Sequence, residues 1–582
     1  MVAKWVFMIC NHSEDAFTMG DMLQVVWHGL SLDLSTALYF LILPFLLTMV
    51  SIGVKLPRWP FLAYDALIAV AFSLAFVSDT SMYAFWHFKL EASWLQYLES
   101  PQEVMANVSV AYMIVRLVLL ILLTTVLFLA YARVARVPAF PRGNWKELPF
   151  YVLAMPLIVI GVRGGLGEST TNIGQVYYSE NQFLNHSAVN PVFSFLYSIG
   201  KSGDYITEYH YFDDAECQQL TAGVYTTQSI DTDTLLNSRR PNILLIITES
   251  CGGQFTEIGG RHDITPNLNR LAHEGVYFTE CYANSWRTDR GVVSILSGYP
   301  ALPVTSIMKI PEKSRKLSSV ASVLRQEGYH NSFYYGGDIN FTNMRSYVMS
   351  TGYEQICWKD DFSYHDQQTA KWGVRDDIMF STLLDDIKAE KGDRRWMKTL
   401  LTLSSHEPWD VPTHHLSDEV YNAFNYLDLC LGDFVEKLKA TPAWDNLLVI
   451  ILPDHGRRYQ GINETTRLFS HIPMIWIGGA VKGVKEVPTI CNQSDLPATL
   501  FGQLDLPHSD FTFSRDVLSK SYQYPLAFHT YSEGMSVFDS TGFMAYDIDA
   551  ETFIAKEGPA SERLKQQGKA LLQLISHDLV HK

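Results

Sequence analysis

Four stretches of this 582-residue chain carry residue types suited to handling a charged, oxygen-rich group. Glu249 follows the apolar run 243–247 (ILLII), with Gly252 and Gly253 just beyond. A short β-branched and leucine run closed by glycines reads as a fully buried strand. In open α/β sheets, ligands bind outside the carboxyl ends of the strands, where Glu249 would sit. Thr288 lies in Ser285-Trp-Arg-Thr-Asp-Arg-Gly291, ahead of an apolar segment of helical length. A hydroxyl at a helix N-terminus faces free backbone N–H groups, which suit a phosphate. The runs 447–452 (LLVIIL) and 400–404 (LLTLS) are further strand patterns, followed by Asp454-His455-Gly456 and by His406. Three apolar strands, each ending in a metal-type or acid–base residue, are expected to converge at one sheet edge.

Each residue also has a plainer reading. Thr288 could serve only as a helix cap, with Ser285 or Ser294 as the hydroxyl. Asp-His-Gly is common in turns, and a single His such as His406 can simply pack.

The elements that must position these residues alternate. Thr265-Pro266 opens a helix, with Thr265 as its cap and Pro266 in the first turn. A strand follows at 275–278. Helices are expected at 318–327, 375–388 and 423–439, opening again at 494, and strands at 329–335 and 472–477. Such alternation predicts an α/β domain, a mostly parallel sheet with helices on both faces. We place it at 241–520, with 521–582 as the C-terminal part of the same soluble domain.

Upstream the composition changes. The chain is 47% hydrophobic, which excludes disorder, and the apolar residues are concentrated at the front. Runs at 34–54, 61–77, 108–131 and 150–162 predict a helical transmembrane bundle over 1–164; a span takes roughly 20 residues. The segment 1–10 is apolar but short, a partial span or a membrane-surface piece. Asp65 and Arg116 fall inside spans and are expected to face protein or the interface. Lys55 and Arg58 lie between the first two spans, and Arg133, Arg136, Arg142 and Lys146 between the last two. The positive-inside rule puts those loops in the cytoplasm, and 78–107 and everything after about 165 outside. Residues 165–240 form a connector. It includes an amphipathic piece at 190–197 and a polar strap at 231–240. The net charge of −16 argues against nucleic acid as a partner. Seven cysteines without regular spacing support no pairing.

In order and spacing, strand-Glu-Ser, Thr-Asp, Ser-His-x-Pro and strand-Pro-Asp-His-Gly resemble the extracellular domain of lipoteichoic acid synthases. Related membrane phosphoglycerol and phosphoethanolamine transferases share them, all within the alkaline phosphatase and sulfatase superfamily. The resemblance covers about 241–510. It implies an alkaline-phosphatase-like domain in which Glu249, Thr288, Asp454 and His455 bind one divalent metal and Thr288 is the nucleophile. Three oxygens and one imidazole suit Mn2+, with Zn2+ or Mg2+ as competitors. It gives His406 a metal-free role, contacting the phosphate or protonating the leaving oxygen. The implied reaction moves a phospholipid head-group phosphate to a cell-envelope glycan or lipid acceptor, outside a bacterial inner membrane.

The head-group pocket departs from the family pattern. Where the family has Phe-His-Gly and then Trp-Asn-Arg, this chain has Tyr335 for the His, Thr342 for the Trp and Met344 for the Arg; Asn343 is kept. Losing that Arg removes a bidentate phosphate clamp. Arg290 or Arg345 could compensate, Asp338 could pair with a cationic head group or serve a turn, and His471 could complete the pocket or be structural. Glycerol phosphate and ethanolamine phosphate both stay open. A sulfatase or phosphodiesterase is the rival reading, although Thr288-Asp289-Arg290-Gly291 lacks the Cys/Ser-x-Pro-x-Arg setting of formylglycine. An inactive membrane-anchored sensor is a second rival.

Overall fold

The computed structural model describes residues 1–12, 17–86, 89–90, 109–134, 145–165, 171, 176, 178–179, 181–201, 207–225, 231–339, 341–392 and 394–582. The chain divides into two compact units, Met1–Asp204 and Tyr205–Ile548 with Phe553–Lys582.

Among the described residues of the first unit, four helices are long and apolar enough to cross a membrane: Leu30–Ser51, Trp59–Ala84, Val110–Arg133 and Trp145–Arg163. Each contains one of the four expected runs, with ends shifted by a few residues. Apolar side chains cover the outer faces of these helices. Val115, Val118, Leu122, Leu153 and Leu157 are all exposed, as lipid-facing positions require. Cross-links between spans use buried polar groups: Ser35 Oγ donates to Val162 O at 2.7 Å and Tyr64 OH to Phe40 O at 2.6 Å. Arg116 lies over the Tyr112 ring, 4.6 Å from its centroid, and both Asp65 and Arg116 are half-buried. The N-terminal apolar piece is the short helix Val2–Asn11, and the piece expected at 190–197 is the helix Pro191–Lys201.

The second unit is built on a nine-stranded sheet. Its strands are β1 (Asn242–Thr248), β2 (Val276–Tyr282), β3 (His330–Tyr335), β4 (Gln355–Trp358), β5 (Trp396–Leu401), β6 (Leu447–Pro453), β7 (His471–Ile477), β8 (Lys485–Val487) and β9 (Cys491–Asn492). The order is β4-β3-β5-β1-β6-β7-β2-β8, with β9 also on β2. β1 lies at the centre, parallel to β5 and β6. Both faces are covered, so successive residues of β1 feed two different cores. Ile243, Leu245 and Ile247 pack under the helices Thr288–Ser297, Leu496–Leu504 and Ser561–His581. Leu244 and Ile246 pack under Pro266–Ala272, Asp376–Ala389 and Glu419–Lys439. Complete burial of each such side chain stabilises the fold by roughly 1.5–3 kcal/mol, which is why the run has no polar alternation.

β7 is the exception to the parallel sheet, antiparallel to both β6 and β2. Between β6 and β7 lies only a single 3-10 turn, Arg467–Phe469, and with no crossover helix the chain must enter β7 from the edge where β6 ends. Because β7 reverses and β2 reverses again, β2 runs in the β6 direction. A second, four-stranded antiparallel sheet, absent from the sequence reading, follows: β10 (Ala527–Tyr531), β11 (Gly534–Asp539), β12 (Gly542–Asp547) and β13 (Thr552–Glu557). Thr265 occupies the cap position of its helix but does not cap it. Its hydroxyl is turned instead toward the preceding loop, donating to Phe255 O at 2.8 Å.

Candidate metal and nucleophile centre

The carboxyl ends of β1, β2, β5 and β6 share one sheet edge, and the loops leaving them carry Glu249, Thr288, His406 and Asp454-His455. Thr288 is the first residue of the helix Thr288–Ser297. Its Oγ1 lies 3.0 Å from Glu249 Oε2 and 3.4 Å from His455 Nε2. His455 Nε2 is in turn 3.4 Å from Asp454 Oδ2 and 3.7 Å from Glu249 Oε1. Glu249, Asp454 and His455 are buried and each offers a ligand atom within 4.8 Å of the others.

The electrostatics of this cluster fit a cation. Burial and the adjoining Glu249 carboxylate push Asp454 well above the usual carboxylate range. Burial also raises Glu249, but the His455 and His406 imidazoles outweigh it and hold this carboxyl below its ordinary value. Burial lowers His455 from its ordinary value, against the opposing pull of the Glu249 carboxylate. Asp454 Oδ2 is buried, with no donor in hydrogen-bond geometry among the described residues. An orphaned carboxylate oxygen beside a second carboxylate and a neutral imidazole is a donor set that a divalent cation completes.

Several residues that the sequence reading passed over hold this geometry. Ser250 N–H donates to Asp454 Oδ1 at 2.8 Å and Ser250 Oγ to Glu249 Oε1 at 2.7 Å. Thr402 Oγ1 accepts from Glu249 N–H at 2.9 Å, and Ser405 Oγ donates to Glu249 O at 2.6 Å. Gln493 Nε2 donates to Gly291 O at 3.1 Å and to Asp454 O at 3.0 Å, tying the Thr288 helix to the end of β6. Gly291 is required at that crossing, because a Cβ there would lie 2.2 Å from Asp454 O. The loop entering the helix is braced from the second sheet. Thr530 N–H donates to Asn284 O at 2.9 Å, Asn284 Nδ2 to Phe528 O at 3.1 Å, and His529 Nδ1 lies 2.8 Å from Ala283 O. Ser250 and Ser405 fall within the Glu-Ser and Ser-His-x-Pro motifs of the sequence; Gln493 and Asn284 are isolated polar residues with no such signal.

His406 is half-buried at the mouth, its Nδ1 2.9 Å from Glu407 O and its ring edge-on to Trp372 at 4.9 Å. Its Nδ1 is occupied, so Nε2 is the atom available for proton exchange. Asp289 is buried, and Arg290, Lys309 and Arg287 overcome the burial cost and hold its carboxyl far below the usual range. Arg290 is buried with its guanidinium on three carbonyls, Leu302 and Pro303 at 3.3 Å and Val304 at 2.9 Å. Tyr335 ends β3 on the edge that carries the site, and Asp338 is exposed beyond it. His471 opens β7, its Nε2 2.7 Å from Thr279 O and its ring stacked on Tyr282 at 4.5 Å. Asn343 closes a 3-10 turn, Phe341–Asn343; its side chain lies outside the described residues.

A mostly parallel sheet with acid, hydroxyl and imidazole groups at its carboxyl edge defines the alkaline phosphatase/sulfatase class, and residues 241–506 match the Sulfatase family. The fold is similar to the crystal structure of a protein in the alkaline phosphatase superfamily from Vibrio parahaemolyticus. Its TM-score is 0.56 at 24% identity over 64% of this chain and 98% of that one. Among curated proteins, lipoteichoic acid synthase 2 of Bacillus subtilis is 21% identical over 49% of this chain and 48% of its own length. Phosphoglycerol transferase I of Xanthomonas campestris pv. campestris is 23% identical over 48% and 43%. Residues 241–506 thus carry a sulfatase-family domain, and the chain is similar to lipoteichoic acid synthases and phosphoglycerol transferases of that superfamily. It matches about half the length of these curated relatives.

Proposed function

We propose that this chain is a membrane-anchored phosphotransferase that moves a phospholipid head-group phosphate through Thr288 to a cell-envelope glycan or lipid. The observation that carries this reading is the placement of Thr288 Oγ1 at 3.0 Å from Glu249 Oε2 at the helix N-terminus. The names of the curated relatives support the reaction class.

Thr288 Oγ attacks the phosphorus of the lipid phosphodiester, and the bond from phosphorus to the diacylglycerol oxygen breaks. Glu249 Oε2 accepts the hydroxyl hydrogen and aims the lone pair outward. His406 Nε2 delivers a proton to the departing diacylglycerol oxygen. An acceptor hydroxyl, deprotonated by His406, then displaces Thr288 Oγ, which recovers its proton from Glu249, and takes the head-group phosphate. A divalent cation, Mn2+ by the hardness of the donors, would be held by Glu249, Thr288, Asp454 and His455, and would lower the hydroxyl pKa and offset charge on phosphate oxygens. Free N–H groups of the first helical turn stand ready for the same oxygens. Tyr335, Asp338, Asn343 and His471 are the proposed head-group neighbours. Arg290 shapes the pocket through the 302–304 segment that it holds. The catalytic unit works on the extracytoplasmic side of a bacterial cell membrane, as the basic loops between spans imply.

The test is to incubate membranes containing the protein with labelled phosphatidylglycerol and phosphatidylethanolamine separately. Diacylglycerol release from one of them, lost in Thr288→Ala, is expected. Release from neither, with hydrolysis of soluble phosphate or sulfate esters instead, would replace the transferase by the hydrolase reading.

A further inference from the structure

On the outer surface of the second unit, three side chains outside the catalytic edge converge. Glu208, His577 and His581 each present a ligand-type atom within 4.8 Å of the other two. His577 and His581 are four apart on the last helix, Ser561–His581, the spacing that stacks two side chains on one helical face. Their rings lie 4.0 Å apart. His577 Nδ1 is 2.9 Å from Glu208 Oε1, and His581 Nδ1 is 2.8 Å from His577 O. His581 therefore keeps Nε2 available, with Nδ1 held by a carbonyl, while His577 Nδ1 and Glu208 Oε1 face each other across a gap where a cation would replace the shared hydrogen. A third imidazole stands on the other oxygen of the same carboxylate, His210 Nε2 at 3.5 Å from Glu208 Oε2.

Glu208 is not a free surface acid. The backbone on its C-terminal side is strapped to the last helix: Tyr209 N–H donates to Ser576 Oγ at 3.0 Å, and Tyr211 and Phe212 N–H to Gln573 Oε1 at 2.7 and 2.9 Å. Gln573 Nε2 returns a bond to Phe212 O at 2.9 Å. The backbone that carries Glu208 is thus set in place by bonds that do not involve the histidines, which is what a pre-organised ligand needs. Asp578, between the histidines, is engaged elsewhere, accepting from Tyr299 OH at 2.8 Å.

We infer that Glu208, His577 and His581 form a second divalent-metal site, with His210 beside the outer oxygen of the same carboxylate. It would take Zn2+ or a similar imidazole-preferring ion and clamp the 207–212 segment to the C-terminal helix. The donor chemistry separates it from the catalytic edge. Imidazole-rich sets favour Zn2+, Ni2+ and Cu2+, whereas carboxylate and hydroxyl oxygens suit Mn2+ and Mg2+. His210 and His577 are exposed, so the ion enters directly from solvent.

The experiment uses the full chain in detergent, stripped by chelation and titrated with Zn2+ against a chromophoric chelator. Metal content is then measured after gel filtration. The double variant His577→Ala/His581→Ala should bind one equivalent fewer than wild type. Glu208→Gln should bind that equivalent at least tenfold more weakly. Visible d–d absorption of the Co2+-loaded protein should fall in the double variant, while Mn2+-dependent diacylglycerol release persists. His414→Ala/His415→Ala, at two exposed histidines elsewhere, should change nothing. Equal zinc content in wild type and the His577/His581 variant, or an equal fall in the His414/His415 control, would leave adventitious surface binding only and overturn the site. Should the double variant fail to fold, Glu208→Gln and the single variant His581→Ala decide the question by the same titration.

Discussion

Ser250 N–H meets Asp454 Oδ1 at 2.8 Å across 204 positions of chain, and the same Ser250 turns its Oγ back to Glu249 Oε1. One residue thus orients two carboxylates from neighbouring strands. It does so at φ +56°, a left-handed conformation that costs a non-glycine residue on the order of 1–3 kcal/mol.

Replacing Ser250 separates these roles. Ser250→Ala keeps the strain and loses the hydroxyl that orients Glu249. Metal affinity is expected to fall by roughly 10–100-fold, as for other residues that orient metal ligands. Ser250→Gly loses the same hydroxyl but relaxes the backbone, so it should melt higher than Ser250→Ala with a similar loss of affinity. Calorimetric Mn2+ titration and thermal unfolding read the two effects apart.

Thr288 is predicted to be the residue that becomes covalently labelled. Thr288→Ala should lower diacylglycerol release by roughly 10⁴-fold or more, while Thr288→Ser retains a measurable part of it. Mass spectrometry of protein quenched with labelled lipid should place the phosphate-linked group on the peptide containing residue 288. Chelation should abolish labelling, and Mn2+ should restore it. At 100 times its dissociation constant, the ion should also raise unfolding stability by about 2.7 kcal/mol, an increment absent in Asp454→Asn.

Gly291→Ala inserts a methyl group where Asp454 O already lies 2.2 Å from an ideal Cβ. Overpacking of this kind typically costs about 1–3 kcal/mol. The predicted signature is a kcat loss larger than the stability loss, because the shift moves Thr288 against Asp454. A Gly291→Ala protein that melts several degrees lower yet turns over normally would refute that coupling.

Asp376 controls a pH dependence away from the metal ligands. Its buried carboxylate accepts from Leu403 N–H at 2.8 Å and Ser404 N–H at 3.1 Å, holding the loop that leads to His406. Burial nonetheless pushes it up to about 6 from 3.8. A raised acid keeps its proton in the folded state after the unfolded chain has lost it. Stability from this group is therefore full below pH 3.8 and falls as pH rises toward 6. The slope approaches about 1.4 kcal/mol per pH unit for one proton. Asp376→Asn should flatten the stability curve within that window, and thermal unfolding between pH 4 and 7 checks it.

Much of this was legible because burial on both faces removes alternation. The runs at 243–247 and 447–452 could hardly be anything but central strands, and the residues after them therefore had to sit at one edge. The direction of β7 was less legible. Its sign was the absence of a helical stretch between 454 and 471, a negative feature that propensity does not flag. The second sheet escaped because its strands mix Ser, Thr and His with aromatics, and those polar groups are satisfied by backbone partners distant in sequence. Gln493 and Thr402 escaped for the same reason: a hydrogen bond to a main-chain atom of another strand leaves no periodic trace.

The bonds from β10 to the loop ahead of Thr288 bear on how this chain can be dissected. Agreement with the Sulfatase family stops at residue 506, yet Phe528, His529 and Thr530 grip Ala283 and Asn284. An expression boundary drawn where the family likeness ends would release the loop ahead of Thr288 from its rear support. Such a fragment would keep Glu249, Asp454 and His455 while mispositioning the Thr288 hydroxyl beside them. Shortened versions intended for crystallisation or screening should run through the C-terminal helix.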